Sequence, residues 1–468
     1  MKRKWSARSA VRAGGAALTG GLAVVALGLV ATAQSSIDFG EDVGRQISEV
    51  VTLPDQTYEL ACAAGIETEF GDKTPTKVFV ADISGVELTR AVDLVTGKEI
   101  AGAKGEGGIE FESKNPIGLS VHSTVESKAP SAILGQINTE DVRGLVFDQC
   151  QTARNDSWFN VGATTVGEAA LLTVMNPSKQ ASEVTLRGWS SIGPVEGEPT
   201  FTVRAGSIET VNLAAFFPDE ERLGVQVQAS GPGVAATIRT ISTAGLTPRG
   251  LDHVSGSGVA TKTALISGVV KGLEEPKLRL QNVGEEEAQV TLSVLSQKGR
   301  APLPGGNDVV IDPGAVFQLN LDGIEDEYAS VLVESNEPVL ASASGYMTGK
   351  KDQDGKSLAD RVVWMPADAA TTYHEPLPAA SGVSYTLFLS NSSDEDVAVR
   401  VNGKEISLAA GHVISQAVSG SDLKIDADAP IHASVNAISE VTSGNLISAL
   451  ALQDSTSGTP TFRFIAPR

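Results

Sequence analysis

Few residues in this sequence of 468 have a spacing that could support catalysis. The nearest match to a nucleophile elbow, Gly188-Trp189-Ser190-Ser191-Ile192, lacks the final glycine and lies between predicted strands, without a strand-to-helix turn. The five histidines lack the H-x-x-x-H and H-E-x-x-H spacings that bring two imidazoles to one metal ion. They are His122, His253, His374, His412 and His432. These patterns predict no catalytic residue, no metal site and no cofactor, so we expect that the chain is not an enzyme.

Acidic residues form three short clusters. Lys350 to Gly355 resembles part of a calcium loop, but aligning Gly355 with the sixth position puts Lys350 first and Arg361 last, where acids are required. Glu285 to Glu287 and Asp394 to Asp396 are predicted hairpin tips that discourage edge-to-edge association. A pair of glycosidase carboxylates could lie among the 57 acidic residues, but no spacing selects one.

Only two cysteines occur, Cys62 and Cys150. Both follow a predicted export signal, so we expect them to form a disulfide in an oxidising compartment. On the chain-entropy account, such a bond over this separation contributes about 4 to 5 kcal/mol. The alternative is two unrelated buried thiols.

The amino terminus has the features of an export signal. Five basic residues precede an uncharged segment, 13–36, whose most apolar part runs from Leu22 to Ala33. Because this part is short for a membrane span, both a signal anchor and a signal peptide cleaved near Ala33 remain open. The favoured prediction is a cytoplasmic n-region (1–12), a signal anchor (13–36), a linker (37–48) and an extracytoplasmic region (49–468) in a single-pass cell-membrane protein.

The exported region is strongly acidic. Removing the five amino-terminal basic residues from the 36 in the chain leaves 31 against 57 acidic residues, a net charge of −26. Nucleic acid is therefore excluded as a partner, because it requires a clustered positive surface.

Short runs of alternating apolar and polar residues, separated by Gly, Pro, Asn and Asp, predict an all-β chain. The motif L-x-[VL]-x-N ends at Asn176, Asn282 and Asn391, and aliphatic residues follow each Asn by 8 and 10 positions. A fainter first copy is indicated by two similarities. Phe111 to Ile117 resembles Val333 to Val339, and Arg143-Gly144-Leu145 resembles Arg249-Gly250-Leu251. We therefore predict four repeats of about 106 residues at about 49–157, 158–254, 255–364 and 365–468.

Each repeat contains two sets of about four predicted strands. In the second repeat, one contiguous half would run from Trp158 to Arg204 and the other from Thr210 to Val254. Four strands suit a propeller blade, whereas eight suit an immunoglobulin-like sandwich. The half-repeat pattern favours a propeller-like closed array, with tandem β-sandwiches as the alternative.

The run from Trp158 to Gly167, the segment Leu171 to Pro177 and the run Gly245 to Asp252 resemble an uncharacterised family of secreted or membrane-anchored actinobacterial proteins. The resemblance covers most of residues 50–468 and implies an envelope-glycan context. It implies no activity and no functional residue.

The favoured function is a non-catalytic interaction or scaffold module of the cell envelope, which binds the membrane through its amino-terminal segment. The alternative is an envelope polysaccharide-binding protein or a cryptic glycan-processing enzyme. Among the tryptophans of the exported region, Trp158 and Trp364 are predicted to lie in the core. Trp189 is the candidate ligand contact. Envelope proteins and polysaccharide are the expected partner classes.

Overall fold

The computed structural model describes residues 50–51, 56–67, 73–105, 107–124, 129–256, 259–351, 355–455 and 462–463. Nearly all regular structure in these residues is β-strand, as predicted. One short 3₁₀ helix, Leu213–Ala215, begins after Asn212, whose side-chain oxygen accepts a hydrogen bond from the Ala214 amide. In the described part of the chain, no helix is long and apolar enough to cross a membrane. The predicted anchor at 13–36 lies outside the described residues.

The strands follow one another in four groups. After β1 (Val50–Val51), the first group is β2 (Gln56–Cys62), β3 (Ile66–Glu67), β4 (Lys73–Thr74), β5 (Thr76–Ala81), β6 (Val86–Asp93), β7 (Ala103–Gly105), β8 (Gly108–Ser113), β9 (Ile117–Ser123), β10 (Ser131–Asn138), β11 (Arg143–Gln149) and β12 (Gln151–Thr152). The second group is β13 (Asp156–Phe159), β14 (Glu168–Asn176), β15 (Ser182–Ser190), β16 (Gly193–Val195), β17 (Thr200–Val203), β18 (Ser207–Asn212), β19 (Gly224–Ala229), β20 (Ala235–Ala244) and β21 (Thr247–Ser255).

The third group is β22 (Thr261–Val270), β23 (Glu274–Asn282), β24 (Ala288–Ser296), β25 (Gly299–Pro302), β26 (Val309–Ile311), β27 (Val316–Asn320), β28 (Tyr328–Lys351) and β29 (Ser357–Trp364). The fourth group is β30 (Ala369–Pro376), β31 (Val383–Ser390), β32 (Val397–Val401), β33 (Lys404–Leu408), β34 (Val413–Val418), β35 (Asp422–Ser439) and β36 (Leu446–Ala451), and β37 (Phe462–Arg463) ends the described chain. We refer to these four groups as repeats one to four.

Each repeat consists of an inner sheet and an outer sheet. The inner sheets have the orders β11-β10-β5-β8-β7, β21-β20-β14-β18, β29-β28-β23-β27 and β36-β35-β31-β34. The outer sheets are built on β2-β9-β6, β13-β19-β15, β22-β28-β24 and β30-β35-β32. The long strands β28 and β35 pass from the outer sheet into the inner sheet of the same repeat. All four repeats therefore share one strand connectivity.

The two sheets of a repeat enclose one hydrophobic core. In repeat two, Leu172 and Val174 on the inner sheet pack in the same buried cluster as Val184, Leu186 and Val225 on the outer sheet. The aliphatic pairs that follow Asn282 and Asn391 are buried in the corresponding cores of repeats three and four. Removal of these alternating apolar side chains from water stabilises each sheet pair as a two-layer sandwich.

The inner sheets are the blades of a four-bladed, propeller-like ring, which confirms the favoured prediction. Their innermost strands contact one another in the order β11, β21, β29, β36 and back to β11. Each blade takes all its described strands from a single repeat, so the ring closes without strand exchange between the chain ends. The alternative prediction, tandem β-sandwiches, describes only the packing of the two sheets within one repeat.

The predicted division of a repeat into contiguous halves is wrong. In repeat two, consecutive strands alternate between the sheets, since β13, β15 and β19 are outer and β14, β18 and β20 are inner. The segments Phe111–Ile117 and Val333–Val339, although similar in sequence, do not occupy equivalent positions in their repeats. The first segment connects a blade to an outer sheet, whereas the second lies within β28 where an outer sheet continues into a blade. Local alternation cannot specify which of two sheets a strand enters.

A separate small unit contains the described chain ends. Val50 and Val51 of β1 pair antiparallel with Arg463 and Phe462 of β37.

The repeated Arg-Gly-Leu sequence lies on two innermost strands and reflects their close approach. A Cβ atom on Gly144 of β11 would lie 2.7 Å from the carbonyl oxygen of Leu251 on β21. A Cβ atom on Gly250 of β21 would lie 2.0 Å from the backbone nitrogen of Arg361 on β29, and Gly250 has a φ of +115°. Glycine is required at both positions because a side chain would separate neighbouring blades.

Side-chain hydrogen bonds connect every adjacent pair of innermost strands. Asp148 of β11 accepts from the Ser255 hydroxyl of β21 at 2.7 Å, and Asp252 of β21 accepts from the Val363 amide of β29 at 2.8 Å. Asp360 of β29 accepts from the Ile447 amide of β36 at 2.7 Å. The Ser448 hydroxyl of β36 accepts from the Phe147 amide of β11 at 3.1 Å and donates to Asp252 at 3.0 Å. The ring is therefore closed by polar bonds around its axis.

The asparagine of the repeated motif stabilises the turn at which the chain passes from the blade to the outer sheet. The Nδ2 groups of Asn176, Asn282 and Asn391 each donate at 2.7 Å to the carbonyl four residues ahead. Each Nδ2 also donates to a second carbonyl, and each Oδ1 accepts from the backbone amide two residues ahead. All three side chains are fully buried. The motif therefore marks a backbone turn that the asparagine side chain stabilises.

Replacing Asn282 with alanine should lower the free energy of unfolding of the transition that includes repeat three by about 2 to 4 kcal/mol. One buried carbonyl, of Ile311, loses its partner in this variant, and the Glu286 carbonyl and the Gly284 amide, which are part-buried, lose theirs. An unpaired buried group costs about 1 to 3 kcal/mol, and a part-buried group costs less because water can reach it. Denaturant unfolding followed by tryptophan fluorescence measures the loss. Asn307→Ala, at an exposed position, is the matched control and should change stability by less than about 0.5 kcal/mol. Equal small effects in both variants would contradict the role of the motif.

Asp360 should make the ring less stable as the pH rises. Burial raises the pKa of Asp360 to about 8, so the folded chain holds a proton that the unfolded carboxyl, with a pKa near 3.8, has lost. The stabilisation is complete below about pH 4 and is lost as the pH approaches 8. Asp360→Asn should reduce the decline in unfolding free energy by at most about 1.4 kcal/mol per pH unit in that window. Exposed Asp394→Asn should leave the slope unchanged. A slope that Asp360→Asn does not alter would show that this carboxyl is ionised in the fold.

Candidate functional site

The predicted disulfide is present between Cys62 and Cys150, whose Cα atoms are 4.2 Å apart. It joins β2 of the outer sheet to the residue that follows β11 of the blade. The bond therefore connects the two layers of repeat one at the carboxyl end of an innermost strand.

Trp189 is half-buried on the outer sheet of repeat two. Its ring lies 4.9 Å from that of Trp158, centroid to centroid, with the planes tilted by 38°. Trp158 is also half-buried, so its predicted core position is wrong, whereas Trp364 is in the core, as predicted. The Trp158 indole donates to Asp156 at 3.1 Å, and the turn at Gly314 of repeat three lies against Trp189. The two rings form a partly covered aromatic pair between repeats.

Ser190 shows none of the geometry of an activated nucleophile. Its hydroxyl is buried and donates to the Gly193 carbonyl at 3.1 Å within a hairpin turn. The acidic clusters 285–287 and 394–396 occupy exposed tips between β23 and β24 and between β31 and β32, as predicted. Residues 352–354 of the calcium-like loop lie outside the described residues.

The histidines occupy four separate environments. His122 lies 3.4 Å from the Thr57 hydroxyl, His374 bonds to Asp422, and His412 bonds to the Ala410 carbonyl. His253 and His432 both border one cavity. Within the described ranges, no three His, Cys, Asp or Glu side chains are placed to hold a metal ion.

That cavity, which we call the axial cavity, has a volume of about 370 Å³ and lies where the four innermost strands end. Its wall includes Asp148 from β11, His253 from β21, Val363 from β29 and Ala449 from β36. Residues of β22 and β28 and the segment 365–369 extend the wall beyond the strand ends. All four repeats therefore contribute to one concave site.

His253 has the most unusual environment in this wall. Its side chain is 8% exposed, and neither ring nitrogen has a hydrogen-bond partner among the described residues. Burial, with a smaller effect from the Arg239 charge, lowers the pKa of His253 to about 3. The imidazole is therefore neutral, with one donor and one acceptor nitrogen available.

Two other titratable groups at the cavity, His432 and Asp148, are held by hydrogen bonds within the protein. The Nδ1–H of His432 donates to the Ala367 carbonyl at 2.9 Å, and burial lowers the pKa of this ring. Burial raises the pKa of Asp148 to about 6, although hydrogen bonds from Ser255 and the Gln149 amide oppose the shift. Gln151 donates to the hydroxyls of Thr237 and Ser255 at 3.0 and 2.6 Å.

This arrangement suits recognition of a polar ligand, and the wall also includes the charged residues Arg154 and Asp368. Neutral imidazoles, amides and the hydroxyls of Thr261 and Thr263 supply both donors and acceptors, while Val254, Leu340 and Met365 supply apolar wall. A volume near 370 Å³ is within the usual range for small-molecule sites. Sequence reasoning missed Asp148, His253 and His432 as a group, because no local spacing connects residues on three different repeats.

Comparison with known proteins gives a family assignment. A family of unknown function, DUF5719, matches residues 112–441, which is 330 of the 468 residues. The chain belongs to this family. The DUF5719 match begins in β8, ends after β35 and includes Asp148, His253 and His432. No curated protein matches the chain.

Proposed function

We propose that this DUF5719 protein is a non-catalytic interaction module of the cell envelope that binds a partner group in the axial cavity. The observation that carries the proposal is the convergence of all four repeats on one cavity, whose wall contains a neutral His253 that no described residue hydrogen-bonds. Grooves with convergent polar groups are the default location of binding sites.

Two features support binding over chemical conversion. Asp148 is engaged by Ser255 and a backbone amide, and His432 is fixed by a carbonyl, so both act as structural hydrogen-bonding groups in this geometry. A general acid or base instead needs its reactive atom within reach of the substrate.

We place this module outside the membrane, in a single-pass protein anchored by residues 13–36. The basic n-region, the apolar segment and the Cys62–Cys150 disulfide support export. The same features support a secreted or membrane-anchored family, and cleavage near Ala33 is the alternative to anchoring. An actinobacterial family is implied by the resemblance carried by the runs Trp158 to Gly167, Leu171 to Pro177 and Gly245 to Asp252.

Filling the axial cavity should abolish partner binding. Thr263→Trp introduces an indole at an exposed position of the cavity wall, whereas Thr202→Trp introduces one at an exposed position of the outer sheet of repeat two. The detergent-solubilised full chain is used to capture material from envelope extracts, and bound protein and bound glycan are scored separately. Binding that Thr263→Trp lowers at least about tenfold, with Thr202→Trp unchanged, supports the proposal. Equal binding by both variants would show that the axial cavity does not bind the partner.

The second candidate is an envelope polysaccharide-binding protein, and the aromatic pair Trp158 and Trp189 favours it. Saccharide rings stack on aromatic faces, and Asp156 and Gln226 supply polar groups beside the pair. The polysaccharide-binding alternative expects retained glycan to be lost in Trp189→Ala and kept in Thr263→Trp. Chain-length analysis of the recovered glycan tests the cryptic glycan-processing enzyme, since only an enzyme shortens or extends it.

A further inference from the structure

A second polar site lies between repeat one and the blade of repeat two. Arg239 on β20 is paired in register with His253 on β21, so both side chains project from the same face of the blade. Thr237 and Thr173 lie on this face at the next positions. The opposite face, which includes Leu172 and Ile238, belongs to the core of repeat two.

Apolar residues close this interface on either side of the polar residues. Leu251 and Ile241 pack with Ile66 and Val146 of repeat one. Two other blade residues, Met175 and Ala235, join the core of repeat one. The polar face is therefore enclosed within an otherwise apolar contact between repeats.

Arg239 is a buried cation that has no hydrogen-bond or ion-pair partner in the described part of the chain. It is 8% exposed, its Nε atom has no acceptor, and no described residue forms an ion pair or hydrogen bond with its guanidinium. Glu67 is the acid that acts on it electrostatically, but the Glu67 carboxylate pairs with Lys73 at 3.5 Å. A guanidinium has five donors, and a buried charge without a counter-charge costs several kcal/mol.

A small cavity adjoins this cation. It has a volume of about 30 Å³ and is bordered by Arg239, His253, Thr237, Thr173, Glu67 and Lys73. Because one water molecule needs about 10 to 15 Å³ on this measure, the cavity holds two or three water-sized atoms. That is the size of a chloride ion or of the two oxygens of a carboxylate.

We propose that this cavity binds a small anion, a halide or a carboxylate, with the Arg239 guanidinium as its principal ligand and His253 beside it. Arg239 and His253 are each more than nine-tenths buried, have no side-chain partner in the described ranges and border the same cavity, which makes this a built site. The local charge also favours an anion. The cavity is bordered by three basic residues, Arg239, Lys73 and Lys114, and one acid, Glu67, although the whole chain carries a net charge of −21. The proposal does not rest on a ligand in the axial cavity, although His253 borders both cavities.

The test uses the full chain labelled with ¹³C-histidine in detergent. Chloride or acetate replaces isethionate, an anion too large for the cavity, at constant ionic strength, and His253→Gln assigns the His253 signal. We expect a saturable shift of the His253 signal and an unchanged His412 signal. A response to chloride alone assigns a halide site and a response to acetate alone assigns a carboxylate site, and either supports the proposal.

Variants separate the anion from other causes. Arg239→Gln should weaken the response at least about tenfold, because charge-assisted hydrogen bonds are lost. Arg239→Lys keeps the charge, is the safer variant for folding, and should retain a weaker response. Arg204→Gln removes the same charge from an exposed position and should leave the response unchanged.

Glu67→Gln distinguishes a bound anion from an internal counter-charge. Removal of this acid should tighten anion binding several-fold, because a like charge leaves the cavity rim. If the wild-type chain shows no saturable response and Glu67→Gln creates one, Glu67 itself neutralises Arg239 and the proposal is wrong. An undiminished response in folded Arg239→Gln would overturn it equally.

Discussion

The central constraint on this fold is that four sheet edges meet around one axis. An innermost strand pairs with its blade on one side only, so half of its amides and carbonyls face the axis without a ladder partner. Asp252, Asp360 and Ser448 accept hydrogen bonds from amides of the neighbouring innermost strand, and Asp148 accepts one from the Ser255 hydroxyl across the fourth boundary. Polar side chains thus take the place of the strand exchange that closes other rings.

This solution concentrates carboxyl groups in a buried space. Burial raises the pKa of Asp360 and raises that of Asp252 well above its ordinary value, and repulsion between the two adds to the shift of Asp252. Arg143 moderates the cost, because it acts electrostatically on Asp360 while its guanidinium donates to the carbonyls of Ser443 and Gly444. Close contact of the strands also requires Gly144 and Gly250. The Arg-Gly-Leu sequence and the buried acids are therefore both consequences of the close packing of the innermost strands.

Features that depend on local backbone geometry could be predicted from the sequence. The asparagine motif marked equivalent turns because its hydrogen bonds reach only four residues ahead, and the alternating aliphatic residues identified the core face. The pairing of Cys62 with Cys150 followed from the lack of any other cysteine. Features that depend on long-range packing could not be predicted. The interleaving of strands between two sheets leaves no local signal, and the proximity of Arg239, His253 and Glu67 depends on contact between repeats.

The separate core of each repeat explains where the polar sites lie. A flat propeller blade must bury both faces against neighbouring blades, and both faces are then apolar. Here the outer sheet covers one face of each blade, and that pairing supplies the hydrophobic burial for the repeat. The other face is free to carry polar residues such as Arg239 and His253 in repeat two. Candidate sites in this architecture should therefore be sought between repeats and at the axis, where residues distant in sequence meet.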